Sequence, residues 1–209
     1  MGCHPPIMKI LIATKNHGKF EEIREMLGGL KAEFVSLDDL KITEDFPEHG
    51  ESFEENALGK ARFYSALCAQ TAANAAVVAD DSGIFVETLG DELGLKTRRW
   101  GAGHEATDEE WLAHFMGRMA KEKNRKAKFV CAAAYVNGNE EKIFLGETEG
   151  VITESVEAPV KAGIPLSSVF KPDGHRKVFA ALSLAEKNEL SHRGKAFSKV
   201  RDFLRGLLL

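Results

Sequence analysis

The amino-acid sequence predicts an α/β protein, with an elongated central mixed sheet flanked by helices and two lobes with a cleft between them. Three observations carry this prediction: the chain opens strand, polar turn, helix; strands alternate with helices through the first half; and a β-hairpin stands in the second. No internal repeat and no long linker divides the chain, so residues 1–209 read as a single domain.

The elements follow in order. Residues 8–13 are a short apolar run, after which Thr14-Lys15-Asn16-His17-Gly18-Lys19 turns polar. Phe20, Ile23 and Leu27 then recur at helical spacing until Gly28-Gly29 stops the helix. Residues 32–37 form a second short strand, and the acidic stretch 40–50, with Pro47, a loop. Ser52 with Glu55 three residues on is a capping-box signature, opening a helix through Ala57, Ala61, Tyr64 and Leu67. Residues 75–79 read as a buried strand that ends on Asp80-Asp81-Ser82-Gly83. Glycines break up residues 88–105, which read mostly as loop. Thr107 starts a helix with Trp111, Phe115 and Met119 on one face, and the charged residues 121–128 form a solvated connection. Residues 129–136 and 142–148 pair as a hairpin across Asn137-Gly138-Asn139, with 150–152 continuing the sheet. Residues 159–172 look like a loop. Ser183 with Glu186 is a second capping box, and Ser191 caps a final helix whose apolar side is Ala196, Phe197, Val200, Phe203, Leu204 and Leu207.

The charge balance narrows the partners. Lys and Arg number 28 against 32 Asp and Glu, a net charge of −4. Broad nucleic-acid binding needs clustered cations, so no nucleic-acid partner is expected; a nucleotide needs only a few cations and a metal. The three cysteines, Cys3, Cys68 and Cys131, include no CxxC pair and fit a reducing compartment. No apolar run has the length of a membrane span, and the first residues lack the h-region of a signal peptide. Met1-Gly2-Cys3 is a myristoylation-like start, but Pro6 stands where Ser or Thr is wanted.

Two helix starts and one strand end carry the chemistry. Thr14, Asn16 and Lys19 occupy the turn before the first helix, whose N-terminal N–H groups attract phosphate. Lys15 and Lys19 are cations at the disfavoured end of a helix dipole, a cost of about 0.3–1 kcal/mol each that a bound anion reverses. An Asn16 cap with exposed lysines is the equally simple alternative, and the turn is not a Walker loop. Asp80 and Asp81 follow a strand directly, so that one can hold Mg²⁺ while the other deprotonates water. Asp-Asp-Ser-Gly is also ordinary turn chemistry. Glu55 either completes its capping box or joins the aspartates at the metal, and Lys60 either reaches a phosphate or faces solvent. Ser191-His192-Arg193 again sets potential cations at a helix start; Arg193 offers a donor fork to a keto oxygen or phosphate, or pairs with an acid.

The chain resembles the inosine/xanthosine triphosphate pyrophosphatases, house-cleaning nucleotide hydrolases. The resemblance runs in order over nearly the whole chain: Ala13-Thr14-Lys15-Asn16-His17-Gly18-Lys19, Phe53-Glu54-Glu55-Asn56-Ala57 with Lys60, and Ala79-Asp80-Asp81-Ser82-Gly83. It continues through Arg99-Trp100, Ala106-Thr107-Asp108-Glu109-Glu110 and Glu186-Lys187-Asn188 into Ser191-His192-Arg193-Gly194. The resemblance implies Mg²⁺-dependent cleavage of a nucleoside triphosphate between its α and β phosphates, in a cytosolic homodimer. It assigns Asp81 as catalytic base, Glu55 and Asp80 to the metal, and Thr14, Asn16, Lys19 and Lys60 to phosphate. Ser82, Lys187, His192 and Arg193 fall to the nucleotide, the last two near the purine keto group.

One loop departs from the pattern. Where the family usually carries Gly-Phe-Gly-Tyr-Asp-Pro, this chain has Gly163-Ile164-Pro165-Leu166-Ser167-Ser168. Ile164 replaces an aromatic stacking platform worth about 1–3 kcal/mol per base, and Ala181 replaces an acid often found after Phe179. The departure leaves three alternatives: altered handling of inosine or xanthosine nucleotides, the same chemistry on another or modified nucleotide, and nucleotide binding without turnover.

Overall fold

The structure, a computed structural model, describes residues 7–70, 74–101 and 105–208. The Met1-Gly2-Cys3 start lies outside the described residues, as does the side chain of Arg99. Strands β1 (Met8–Ile12), β2 (Ala32–Val35), β3 (Ala76–Val86), β4 (Lys126–Asn137), β5 (Glu140–Ile152) and β6 (Phe170–Pro172) form one sheet in the order β2-β1-β3-β4-β5-β6. β1 runs parallel to β2 and β3, and the remaining pairs are antiparallel, so the sheet is mixed. The helices are α1 (His17–Met26), α2 (Phe53–Gln70), α3 (Asp108–Met119), α4 (Leu184–Leu190) and α5 (His192–Leu207). None of them is long and apolar enough to cross a membrane, among the described residues.

Side chains alternate across a strand, and this sheet is covered on both faces. Leu11, Val77, Ala79, Ala132 and Ala134 pack against Phe53, Ala57, Ala61 and Tyr64 of α2. Ile10, Ile12, Val78, Cys131, Ala133 and Tyr135 pack on the other side, against Ile23 and Met26 of α1 and Phe197, Val200 and Leu204 of α5. Each fully buried aliphatic or aromatic chain here contributes about 1.5–3 kcal/mol of transfer free energy. The far ends of β3, β4 and β5 build a second lobe: Ile84, Val86, Phe129 and Ile152 meet Trp111, Phe115 and Met119 of α3, with Leu166, Phe170 and Phe179. The apolar face expected at Trp111, Phe115 and Met119 is this contact.

Helix starts follow their local signals. Asn16 caps α1, Thr107 and Ser183 complete reciprocal capping boxes with Glu110 and Glu186, and Ser191 Oγ accepts from Gly194 N–H at 3.0 Å. At α2 only half the expected box forms. Ser52 Oγ accepts from Glu55 N–H, whereas the Glu55 carboxylate turns to Glu51 N–H at 2.8 Å.

β3 differs most from the sequence expectation. It does not end at Asp80-Asp81 but runs on to Val86, because β4 pairs with every residue from Val77 to Val86. An antiparallel partner supplies the ladder, so Asp-Asp-Ser-Gly is strand and not turn. Gly83 is required there: a Cβ would sit 2.3 Å from Gly94 O and 2.9 Å from the Phe53 ring. Residues 88–105 include 3-10 turns at Glu87–Leu89 and Gly94–Arg99, and the expected loop 159–172 contains a further turn, Pro165–Ser168, and β6. The hairpin is longer than expected and turns across Gly138-Asn139, with Gly138 at φ +58°.

Candidate active site

Asp80 and Asp81 are neighbours on a strand, so they face opposite layers of the sheet. β1 ends at Ile12, where Ala13 N–H donates to Val78 O at 2.8 Å. Two residues further along the same edge the Asp80 carbonyl has lost that neighbour, and Lys60 Nζ donates to it at 3.2 Å. The site therefore opens where β3 outruns β1.

Asp80 turns toward α1 and α5. Its Oδ2 lies 3.1 Å from Lys19 Nζ and 3.3 Å from Arg193 Nε. Burial works to raise its pKa, but Lys19, Arg193 and Lys60 outweigh that and hold it well below the usual carboxylate range. Arg193 also donates to Glu22 Oε2 at 2.7 Å and to Ser82 Oγ at 3.2 Å. The other oxygen of Glu22 pairs with Lys187 Nζ. Four charged side chains, two acids and two bases, thus close a buried network behind the cleft, with Lys19 at its rim. The ion-paired alternative for Arg193 is the one observed.

Asp81 turns toward α2. Asn56 Nδ2 donates to its Oδ2 at 2.9 Å and Ser82 N–H to its Oδ1 at 2.9 Å. Burial raises its pKa above the usual carboxylate value; Lys60, Lys19 and the Asn56 bond act against this without cancelling it, and Glu48 adds to it. Lys60 in turn holds Glu48 Oε1 at 2.7 Å. Burial pulls its pKa down, but Glu48, Asp80 and Asp81 prevail and keep it protonated.

A cleft of about 350 Å³ gathers most of the expected residues. Thr14, Asn16, Lys19, Lys60, Asp81 and Ser82 line it, and so do Lys187, His192 and Arg193. Asn16 is a structural cap as well: its Oδ1 accepts from Lys19 N–H at 3.0 Å and its Nδ2 donates to Gly163 O at 3.1 Å. Lys15 pairs with Asp45 at 2.6 Å. The N–H of Gly163 donates to Asp108 Oδ2, so its main chain is held from both lobes. His192 lies flat on Phe129, with centroids 4.5 Å apart and planes 7° apart. Burial, then Arg193 and Lys187, push its pKa well below the ordinary value and leave it neutral.

Neither member of the expected metal pair, Glu55 and Asp80, is on the cleft wall. Glu55 is exposed, and its carboxylate accepts from Glu51 N–H. Asp80 is also off that wall, sealed behind its cations. Among the described residues no trio of acidic, His or Cys side chains forms a cage for a cation. Mg²⁺ typically binds through one or two carboxylates together with phosphate oxygens and water. Asp81 and Glu48, both on the wall beside Lys60, fit a cation that arrives with a polyphosphate.

The Ham1 family pattern matches residues 10–203. The chain belongs to the Ham1 family. A relative from Caldanaerobacter subterraneus subsp. tengcongensis, named dITP/XTP pyrophosphatase, is 38% identical over 201 residues, covering 95% of this chain and 96% of its own. One from Mycobacterium tuberculosis, with the same name, is 36% identical over 206 residues, covering 96% and 97%. Among solved structures, the Ham1 protein of Staphylococcus aureus superposes with a TM-score of 0.77 at 29% identity, covering 95% of this chain and 99% of that one. A HAM1 protein from Coxiella burnetii gives 0.79 at 29%, covering 96% and 100%.

Three site residues of this Ham1 chain escaped the sequence reading. Glu22 was hidden inside an amphipathic helix; its signal was an acid at i+3 from Lys19 on a face that also carries Met26. Glu48 sat in a stretch read only as acidic loop, and Asn56 only as part of a motif. The departing loop forms the apolar wall of the cleft, where Ile164, Pro165, Leu166 and Ser167 stand with Phe179.

Proposed function

We propose that this chain is a nucleoside triphosphate pyrophosphatase acting on inosine and xanthosine nucleotides (dITP, ITP, XTP), yielding nucleoside monophosphate and pyrophosphate with Mg²⁺. The observation that carries the reading is that one cleft is lined both by Lys19, Lys60 and Asp81 and by neutral His192. Relatives at 38% identity named dITP/XTP pyrophosphatase support it.

In this mechanism Lys19 and Lys60 bind the triphosphate and neutralise its charge as the α–β bridge breaks. Asp81, its basicity raised by burial and its carboxylate oriented by Asn56, takes the proton of the attacking water. The water oxygen bonds to the α phosphorus, and pyrophosphate leaves with the bridging electron pair. Asp80 acts from behind, holding Lys19 and Arg193 in place. Bound at Asp81 and Glu48, Mg²⁺ would supply Lewis-acid stabilisation of the developing charge. Thr14, Asn16 and Ser82 complete the phosphate end; Lys187, His192 and Arg193 stand toward the base.

Initial rates of pyrophosphate release across a nucleotide panel, with and without Mg²⁺, test the proposal. Selectivity for dITP, ITP or XTP supports it, and silence across the panel rejects it. A second reading, the same chemistry on another or modified nucleotide, is favoured by Ile164 standing on the apolar wall where a stacking aromatic is usual; it requires a different best substrate in the same panel. The assembly we propose is a homodimer, measurable by sedimentation.

A further inference from the structure

The segment between β2 and α2, read from the sequence as an acidic loop, is strapped down at several points. Ile42 is buried, Tyr64 Oη donates to Glu44 O at 3.1 Å, and Phe46 tilts onto Phe63 with centroids 5.8 Å apart. Toward its end α2 holds it twice. Lys60 Nζ donates to Glu48 Oε1 at 2.7 Å and to Asp80 O at 3.2 Å. One turn earlier Asn56, 2% exposed, donates from Nδ2 to Asp81 Oδ2 at 2.9 Å and accepts at Oδ1 from Gly50 N–H at 2.8 Å. Residues four apart share a helix face. These are therefore two adjacent bridges, each with one end on β3 and the other on the strap that carries Glu48.

A triphosphate acts differently on the two bridges. Lys60 lines the cleft, where a bound polyphosphate competes with Glu48 for its charge. Asn56 is neutral, does not line the cleft, and has a partner at each end of its amide. A carboxylate in its place would set acceptor against acceptor at Asp81, and an apolar side chain would leave Gly50 N–H unmet; an amide offers a donor to one side and an acceptor to the other. Gly50 fits the joint closely, since a Cβ there would lie 2.6 Å from Asn56 Oδ1 and 3.0 Å from Asn56 N. We infer that Asn56 is a positioning residue that keeps Glu48 in register with Asp81, as a cation-binding pair, once Lys60 has turned to the triphosphate; the inference rests on the nucleotide reading above. Asn56 touches neither phosphate nor cation and acts through the two acids.

The test compares Asn56→Ala, which removes the bridge, with Gly50→Ala, which pushes it apart from the strap side. Calorimetry measures the binding of inorganic pyrophosphate with and without Mg²⁺. Mg²⁺ should strengthen binding to the unmutated protein, and in both variants that increment should shrink about 10-fold. The affinity without Mg²⁺ should stay within about 2-fold, because Lys19 and Lys60 are untouched. A merely structural loss, followed by thermal melts, would weaken both affinities together. In a Glu48→Gln background Asn56→Ala should reduce the increment no further. A folded variant that keeps the full increment overturns the inference, as does equal weakening with and without Mg²⁺, or an unmutated protein with no increment. The nucleotide panel separates this from the reading beneath it: pyrophosphate release by the unmutated chain leaves the pyrophosphatase reading standing when the inference fails, and silence across the panel overturns both.

Discussion

Replacing Glu22 by Gln removes one charge from the buried network and leaves its shape nearly unchanged. The Glu22 side chain is 9% exposed, and each of its oxygens takes one cation, Lys187 or Arg193, both 5% exposed. Arg193 keeps Asp80 at 3.3 Å and Ser82 at 3.2 Å, whereas the Lys187 amine has no other hydrogen-bond or ion-pair partner among the described residues. Breaking a buried pair from one side costs about 3–5 kcal/mol, because an uncompensated charge stays behind. With Arg193 still paired, the cost falls at the low end, about 3 kcal/mol. For a chain of this size that is a drop in Tm of about 6–12 °C. The pH dependence identifies the cause. Burial lowers the pKa of Lys187, and Glu22 is the main influence raising it. Without Glu22 the amine sheds its proton more readily in the folded state, so the deficit against the unmutated protein should narrow from pH 7 to pH 9. Adding Lys187→Met should recover part of the loss. Thermal melts at both pH values measure all of this. A deficit under about 2 °C, or one that widens with alkali, would refute the reasoning.

Three further outcomes follow from the site. Asp81→Asn should lower kcat by about 10²–10⁴-fold, as expected for loss of a general base, while circular dichroism shows the fold intact; a folded variant of near-normal rate would remove Asp81 from that role. Acid should also unfold the protein through Asp80 and Glu22. Their depressed pKa values give stability that is present above about pH 4 and lost as pH falls toward the folded values, which urea titrations at pH 6 and pH 3 will compare. Ile164→Phe, restoring a stacking face, should lower KM for ITP by about 5- to 100-fold, corresponding to about 1–3 kcal/mol, and an unchanged KM would place the base elsewhere.

What the sequence made legible was local in origin. Asn16, Thr107, Ser183 and Ser191 satisfy N–H groups within three residues of themselves, so helix starts could be read directly. Lys19 and Lys60, cations at the turn and on α2, were read as phosphate contacts, and both stand on the cleft wall. Distant pairing was not legible. The length of β3 depends on partners such as Ala133 opposite Asp80, and only the folded hairpin supplies them. Glu22 becomes meaningful only beside Arg193, 171 residues away. The positions of Glu55 and Asp80 depend on similar relations. The alternation of β3 sends Asp80 to the other layer, and the choice of Glu51 N–H by the Glu55 carboxylate cannot be read from spacing.

Gly163 ties the phosphate turn, through Asn16, to the start of α3, through Asp108, and both ties are made to its main chain. On the Gly163 side that joint is main chain alone, met by the side chains of Asn16 and Asp108. Residues just beyond it, Ile164 and Leu166 among them, can therefore be exchanged while the lobes stay in register. Gly163 itself has no such freedom: at φ +76° with Asn16 atoms 2.4–2.8 Å from any Cβ, it admits nothing larger. A fixed glycine beside substitutable neighbours lets one wall of the cleft change its shape while the turn at Asn16 keeps its place.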